Sequence, residues 1–240
     1  MRFAATPLHG LAIRLSRSAR EHSLNSMCPR SRNTYTRTAQ CVEKDIWSQM
    51  KEFRKILNPE KIEYPKYSQH YFDLIRTNEN ILQELHDNFY KFKDFIYSLP
   101  EDKLRYRYQP DKWTIREILV HLIDDERIFA YRALRYARND RTPLHGFEEK
   151  DYAKYSNADD RSLETIFEEY WSVRLSTLLL FQNLPEESLM RSGCGIDTDG
   201  SIINERTVRA LAYHIAGHEL WHIKLIKERY LKIVIDEYVL

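Results

Sequence analysis

From Tyr67 onward the chain places apolar residues at every third or fourth position: Phe72, Ile75, Leu82, Leu85, Phe89, Phe92, Phe95 and Ile96 recur until Pro100 closes the run. At 3.6 residues per turn such positions share one face, so the spacing predicts a long amphipathic helix. Arg76 to Asn80 breaks the rhythm and is the weak point of that helix. A second pattern begins at Thr114, which stands three residues before Glu117 in capping-box spacing, and predicts a helix over Ile115–Ala137. A third, with Leu163, Ile166, Phe167, Tyr170, Val173, Leu178 and Phe181 as its apolar set, predicts a helix over Leu163–Leu184 that Pro185 ends. The fourth helix is expected from Glu205 to Ile233.

Between the third and fourth helices, RSGCGIDTDGSIIN carries Gly193, Gly195 and Gly200 with Asp197 and Asp199, which predicts tight turns and a small hairpin around Asp199-Gly200. No other stretch alternates apolar and polar residues as a strand would. Four long helices with connections of uneven length point to an all-α protein, an up-down four-helix bundle.

Composition narrows the function classes. The chain has 240 residues, 42% of them hydrophobic and 30% charged, which is enough for one substantial core. A formal charge of +1 argues against nucleic acid or an anionic membrane surface as a partner. The charge is uneven. Residues 1–42 hold seven arginines and one glutamate, hence +6, and with +1 overall the remainder carries −5. The leader is rich in Arg, Ser and Thr and resembles an organellar transit peptide, although an over-extended start with Met27 or Met50 as the true initiator explains it more simply. Residues 1–49 are therefore expected to be a disordered N-terminal extension, and residues 50–240 the bundle domain. Cys28, Cys41 and Cys194 show no C-x-x-C pairing, so a reducing, cytoplasmic setting is expected, or organellar import if the leader is real. No apolar run, LSTLLLF included, is long enough for a membrane span.

The chemistry concentrates near the end, in HIAGHELWHIKL. His214, His218 and His222 are spaced four apart and form one stripe on a helix, successive members turning about 40° and rising about 6 Å. HELWH matches the zinc-peptidase signature, in which two histidines bind a metal and the glutamate, here Glu219, acts as base toward a water. That reading needs a third ligand downstream. Glu228, Asp236 and Glu237 are the carboxylates on offer, none of them well placed, and the strands that such peptidases use to align a peptide are missing upstream. His121, flanked by Ile118, Leu119 and Leu122 on the second helix, is a better third ligand, because a histidine on that face must point inward and find a partner. Three ligands from two helices would leave coordination positions open, as catalytic sites do. Spacing alone does not choose between the pairs 214/218 and 218/222.

The stretches YQPDKWTIREILVHLIDDERIFAYRALRYARND, TPLHGFEEKDY and TVRALAYHIAGHELWHIKLIKERYL resemble the DinB/YfiT family of metal-dependent enzymes over roughly residues 64–231. The resemblance implies a four-helix bundle with one metal-binding histidine on the second helix and two on the last, hence His121, His218 and His222. It places Gly217 beside the site, leaves His214 to pack or support, and implies a start near Met50. Asp125, one turn beyond His121, is either a hydrogen-bond acceptor for a ligand imidazole or an exposed acid paired with Arg132. Asp124, Asp125 and Glu126 together read as a partly solvated acidic face paired with nearby arginines. Glu219, about 100° around the helix from His218, is not assigned as catalytic base. Cys194 lacks an activating neighbour, and the aromatic cluster YPKYSQHYF is expected to pack the start of a helix.

The resemblance implies a divalent metal ion (zinc, nickel or manganese) and a small-molecule substrate, handled by hydrolysis or by S-transfer with a low-molecular-weight thiol. A non-catalytic, metal- or ligand-binding homodimer serving as a stress-related module is the alternative. The zinc-peptidase reading stands third.

Overall fold

Each long helix starts where its cap residue stands. The computed structural model describes residues 52–76, 80–197 and 199–232; the extension predicted for 1–49, Cys28, Cys41, Asp236 and Glu237 lie outside them. Helix α1 covers Ile81–Tyr97, and Asn80 caps it by accepting from the Gln83 amide. Helix α2 covers Ile115–Ala137 behind the full capping box: Thr114 Oγ1 accepts from Glu117 N at 3.1 Å and the Glu117 carboxylate from Thr114 N at 2.7 Å. Helix α3 covers Leu163–Asn183, capped by Ser162, and helix α4 covers Val208–Leu225, capped by Thr207. A π-helical turn, Ile226–Tyr230, continues α4.

Two helix starts and the sheet differ from expectation. The long first helix is divided: Gln69–Phe72 forms a separate short turn, and α1 restarts only after Asn80 offers its cap. The fourth helix begins at Val208 and not Glu205, because residues 202–207 pair as a strand before Thr207 can cap. The sheet is also larger than a hairpin. Strands β1 (Leu144–His145), β2 (Ser192–Ile196) and β3 (Ile202–Thr207) lie in the order β1-β2-β3, with β1 parallel and β3 antiparallel to β2. A two-residue strand carries no alternation that a sequence pattern could register. The hairpin itself forms where expected, with Gly200 at φ +86°.

Helices α1 and α2 each pack against both α3 and α4. The main apolar cluster joins Phe89, Phe92 and Ile96 of α1 to Leu119, Leu122 and Ile123 of α2, and Ile166, Phe167 and Tyr170 of α3 to Ile223 of α4. Helix α4 is buried almost all round from Ala210 to Glu219. Its outer side is covered by the aromatic segment 64–72, in which Tyr64 stacks on Phe72 at 3.9 Å and Phe72 lies parallel to Tyr213. Gly217 permits this cover, since a Cβ there would sit 2.4 Å from the Tyr71 carbonyl oxygen. No described helix is long and apolar enough to cross a membrane.

Candidate metal centre

The facing sides of α2 and α4 bring His121, His218 and His222 together. His121 Nε2 lies 3.2 Å from His218 Nε2, His222 Nε2 lies 3.1 Å from the same atom, and one nitrogen from each ring falls within 4.8 Å of the other two. The residues are 3%, 5% and 8% exposed. The pair that joins His121 is therefore 218/222. His214 points elsewhere: its ring stacks on Phe129 at 4.0 Å and 10°, and its Nδ1 has no partner among the described residues.

The arrangement does not satisfy itself. His218 Nδ1 lies 3.2 Å from Asp125 Oδ2, a charge contact whose angle falls short of a hydrogen bond; the carboxylate's charge favours a proton on Nδ1 and so leaves the Nε2 lone pair facing the other two rings. That lone pair can accept one N–H, yet two imidazoles approach it. The outward Nδ1 atoms of His121 and His222 are also without partners among the described residues. Three lone pairs converging on one point suit a cation, which accepts all three at once. The residues present thus fit a metal ion.

Electrostatics agree with that chemistry. Burial pushes His121 down to about 3, aided by the neighbouring His218, and pushes His222 well below the ordinary histidine value. Both rings are neutral and able to donate a lone pair at neutral pH. Burial also opposes charge on His218, but Asp125 outweighs it and raises that ring, while His218 in turn holds the Asp125 carboxyl well below its usual range. The charge of Glu149, on the short helix Glu149–Tyr155, acts on His218 as well.

Asp125 is thus neither exposed nor paired with Arg132. Of the acidic run only Asp124 is partly solvated, and the expected arginine pairing holds there with Arg127 and at buried Glu126 with Arg174, while Asp125 is buried against His218. The spacing of Asp125 and Glu126 on α2 turns both inward beside Leu122 and Phe129, which a reading of the run as three consecutive charges overlooks. Glu219 accepts from Tyr170 Oη at 2.6 Å and from Arg174 Nη2 at 3.0 Å, so its carboxylate is engaged with α3.

Other neighbours were less legible. Trp113 packs its ring 4.7 Å from His121, and Tyr71 sets its edge against His214 and His218. Arg174 is fully buried, and its guanidinium bridges Glu126 and Glu219. The available signal was its register, since Arg174 follows Tyr170 by four and Val173 by one on the apolar face of α3. Cys194 is a half-buried free thiol on β2.

A helical bundle carrying three convergent histidines on two helices defines a class, and the comparisons identify it. The sequence model of the DinB superfamily matches residues 84–226, and the chain belongs to that family. Among solved structures, YfiT from Bacillus subtilis, described as "a probable metal-dependent hydrolase with an unusual four-helix bundle topology", is similar with a TM-score of 0.52 at 16% identity. The match covers 74% of this chain and 95% of that one, and it shows the shared fold. No curated protein matches.

Proposed function

We propose that the protein is a metal-dependent enzyme acting on a small molecule, with His121, His218 and His222 as ligands of one divalent ion, zinc, nickel or manganese. The observation that carries the reading is the convergence of three buried Nε2 atoms that have too few protons and acceptors to satisfy one another. Charge supports it too. Asp125, buried 3.2 Å from His218 Nδ1, brings negative charge beside the three rings, which favours a cation there. When bound, such an ion supplies positive charge that eases deprotonation of a water or a thiol.

The chain's own residues do the rest. Asp125 fixes the His218 tautomer and ring orientation. Trp113 and Tyr71 wall the histidines with ring faces and edges and keep bulk water from the ligand nitrogens. Glu219, held by Tyr170 and Arg174, is not free to serve as a base, which disfavours peptidase chemistry of the HELWH type. Hydrolysis and S-transfer from a low-molecular-weight thiol are both compatible with this set. A homodimer, an up-down chain path, a bundle domain over residues 50–240 with an extension before it, and a cytoplasmic setting belong to the same proposal. The near-complete burial of the three rings favours one second reading, an ion held without turnover.

Metal content by mass spectrometry, on the purified protein and on His121→Ala and His218→Ala, tests the proposal. About one ion per chain in the native protein and none in the variants is expected. A native protein that takes up no zinc, nickel or manganese on reconstitution would overturn it. Ester hydrolysis and thiol-transfer assays with and without chelator then separate the two chemistries, and failure of both in the loaded protein selects the non-catalytic reading.

A further inference from the structure

Beneath the three-stranded sheet is a pocket of about 50 Å³ that belongs to neither the histidine group nor the main core. Arg132 of α2 and Arg206 of β3 enter it with the hydroxyl-bearing rings of Tyr67 and Tyr136, and Gly146 and Gly195 give it room by contributing backbone alone. Both guanidiniums lie over Phe129, Arg132 with its Cζ 4.8 Å and Arg206 with its Cζ 5.5 Å from the ring centre. Two cations thus meet around one ring.

Neither has a carboxylate partner among the described residues. Arg206 is 4% exposed, and its N–H groups reach only neutral oxygens: Asn204 O at 3.2 Å, Ser68 Oγ at 3.4 Å and Tyr67 Oη. Its Nε is buried with no partner among the described residues. Arg132 donates to His145 O at 3.4 Å. The other arginines drawn into the fold are treated differently: Arg116 meets Glu101, Arg174 meets Glu126 and Glu219, and Arg209 meets Glu63. Burial, reinforced by the charge of Arg206, pushes Arg132 below the ordinary arginine value. Withdrawing two like charges from water is costly unless something of opposite sign joins them.

We infer that Arg132 and Arg206 form a binding site for an oxyanion group, a carboxylate or a phosphate, carried by a small molecule. The planar fork of donors on each guanidinium matches such a group, and the hydroxyl of Tyr67, which accepts from Arg206, has its own proton left to donate, while that of Tyr136 is given to the Cys194 carbonyl at 3.2 Å. The volume admits one such group. Phe129 links the pocket to the histidine group, because its ring stacks on His214, whose own ring lies parallel to that of His218 at 5.8 Å. The site needs no metal, so it stands or falls separately from the proposed metal centre.

The test is isothermal titration of the chelator-treated full chain with inorganic phosphate and, separately, with acetate, at ionic strength held constant with sodium chloride. Saturable binding of at least one is expected, weakened tenfold or more in Arg132→Gln and unchanged in His121→Ala. The anion that binds more tightly identifies the group. Arg206→Gln removes a buried side chain and could unfold the protein, so half-exposed Arg132 carries the mutational arm. Nuclear magnetic resonance of the arginine Nε–H signals in the unmutated protein gives an independent arm, with Arg132 and Arg206 expected to shift on phosphate or acetate addition. Absence of saturable binding of either anion, equal affinity in Arg132→Gln, or shifts confined to other arginines would overturn the site.

Discussion

Two polar groups lie side by side in this bundle, and they are built on opposite plans. Around Arg174, every charge has a counterpart: Glu126 accepts at 3.0 Å, Glu219 at 3.0 Å, Tyr170 Oη donates to Glu219, and the Leu85 carbonyl takes a further N–H. Around His121, His218 and His222, nitrogens converge, and the outward Nδ1 atoms of His121 and His222 lack partners among the described residues. The two groups are joined at adjacent residues, His218 and Glu219, one turned toward α2 and the other toward α3. Completeness marks the first as a device that fixes how helices meet, and incompleteness marks the second as a place for something that is not protein.

The largest way to break this contrast is Arg174→Leu. It leaves Glu126 and Glu219 buried without their cation and should cost about 3–5 kcal/mol in denaturant unfolding, without being rescued by added metal. A loss under 1 kcal/mol would mean that the two carboxylates are protonated and the network is not ionic. On the histidine side, zinc at a hundred times its dissociation constant should stabilise the native protein by about 2.7 kcal/mol and leave His121→Ala unaffected. Equal stabilisation of both proteins would place the ion elsewhere. Asp125→Asn sharpens the contrast by keeping shape and removing charge. Metal affinity should fall about 10- to 100-fold, read by competition with a chelating dye, while the Arg174 group is untouched.

The smallest effect is the pH response of the metal-free protein. His121, His214 and His222 are held below their unfolded values, so below about pH 6.5 the unfolded chain binds protons that these rings refuse. Stability should therefore fall with pH by about 1.4 kcal/mol per unit for each such histidine, until His121 itself titrates near 3. His218 is raised, so its contribution changes only above about pH 6.5, where it is lost as pH rises through the folded value; below that it adds no slope and offsets none of the three. Melting temperatures that stay flat from pH 7 to pH 4 in chelator would contradict the buried, neutral state assigned to these rings.

Much of the fold could be read from periodicity, because α2 and α3 have clear caps and prolines or polar loops beyond them. Thr114 and Glu117 set the start of α2, and Pro185 the end of α3, within a residue. That His121 faces the histidine stripe of the last helix was legible for a similar reason, since helical spacing fixes a face and an apolar neighbourhood fixes which way it looks, but the choice of 218/222 over 214/218 came only from the family resemblance. What escaped depended on partners distant in sequence. Nothing local distinguishes Glu126, which is buried, from an exposed helix acid until Arg174 is placed 48 residues later. Strand β1 is two residues long and exists because β2 lies beside it. Tyr71 reaches the histidines because Gly217 lets its backbone close on α4, a coupling that neither residue shows alone.

The distance along the chain between the two halves of the histidine group has a mechanical consequence. His121 and His218 are 97 residues apart, and an ion gripping both would staple a loop that contains all of α3 and the sheet. A permanent cross-link over about a hundred residues restricts the unfolded ensemble by about 4.7 kcal/mol at 25 °C in the chain-entropy description. A metal staple differs in that it can be withdrawn. Opening of α2 from α4 and departure of the ion become a single event, and chelation acts on the strands and connections far from the rings as cutting a tether would.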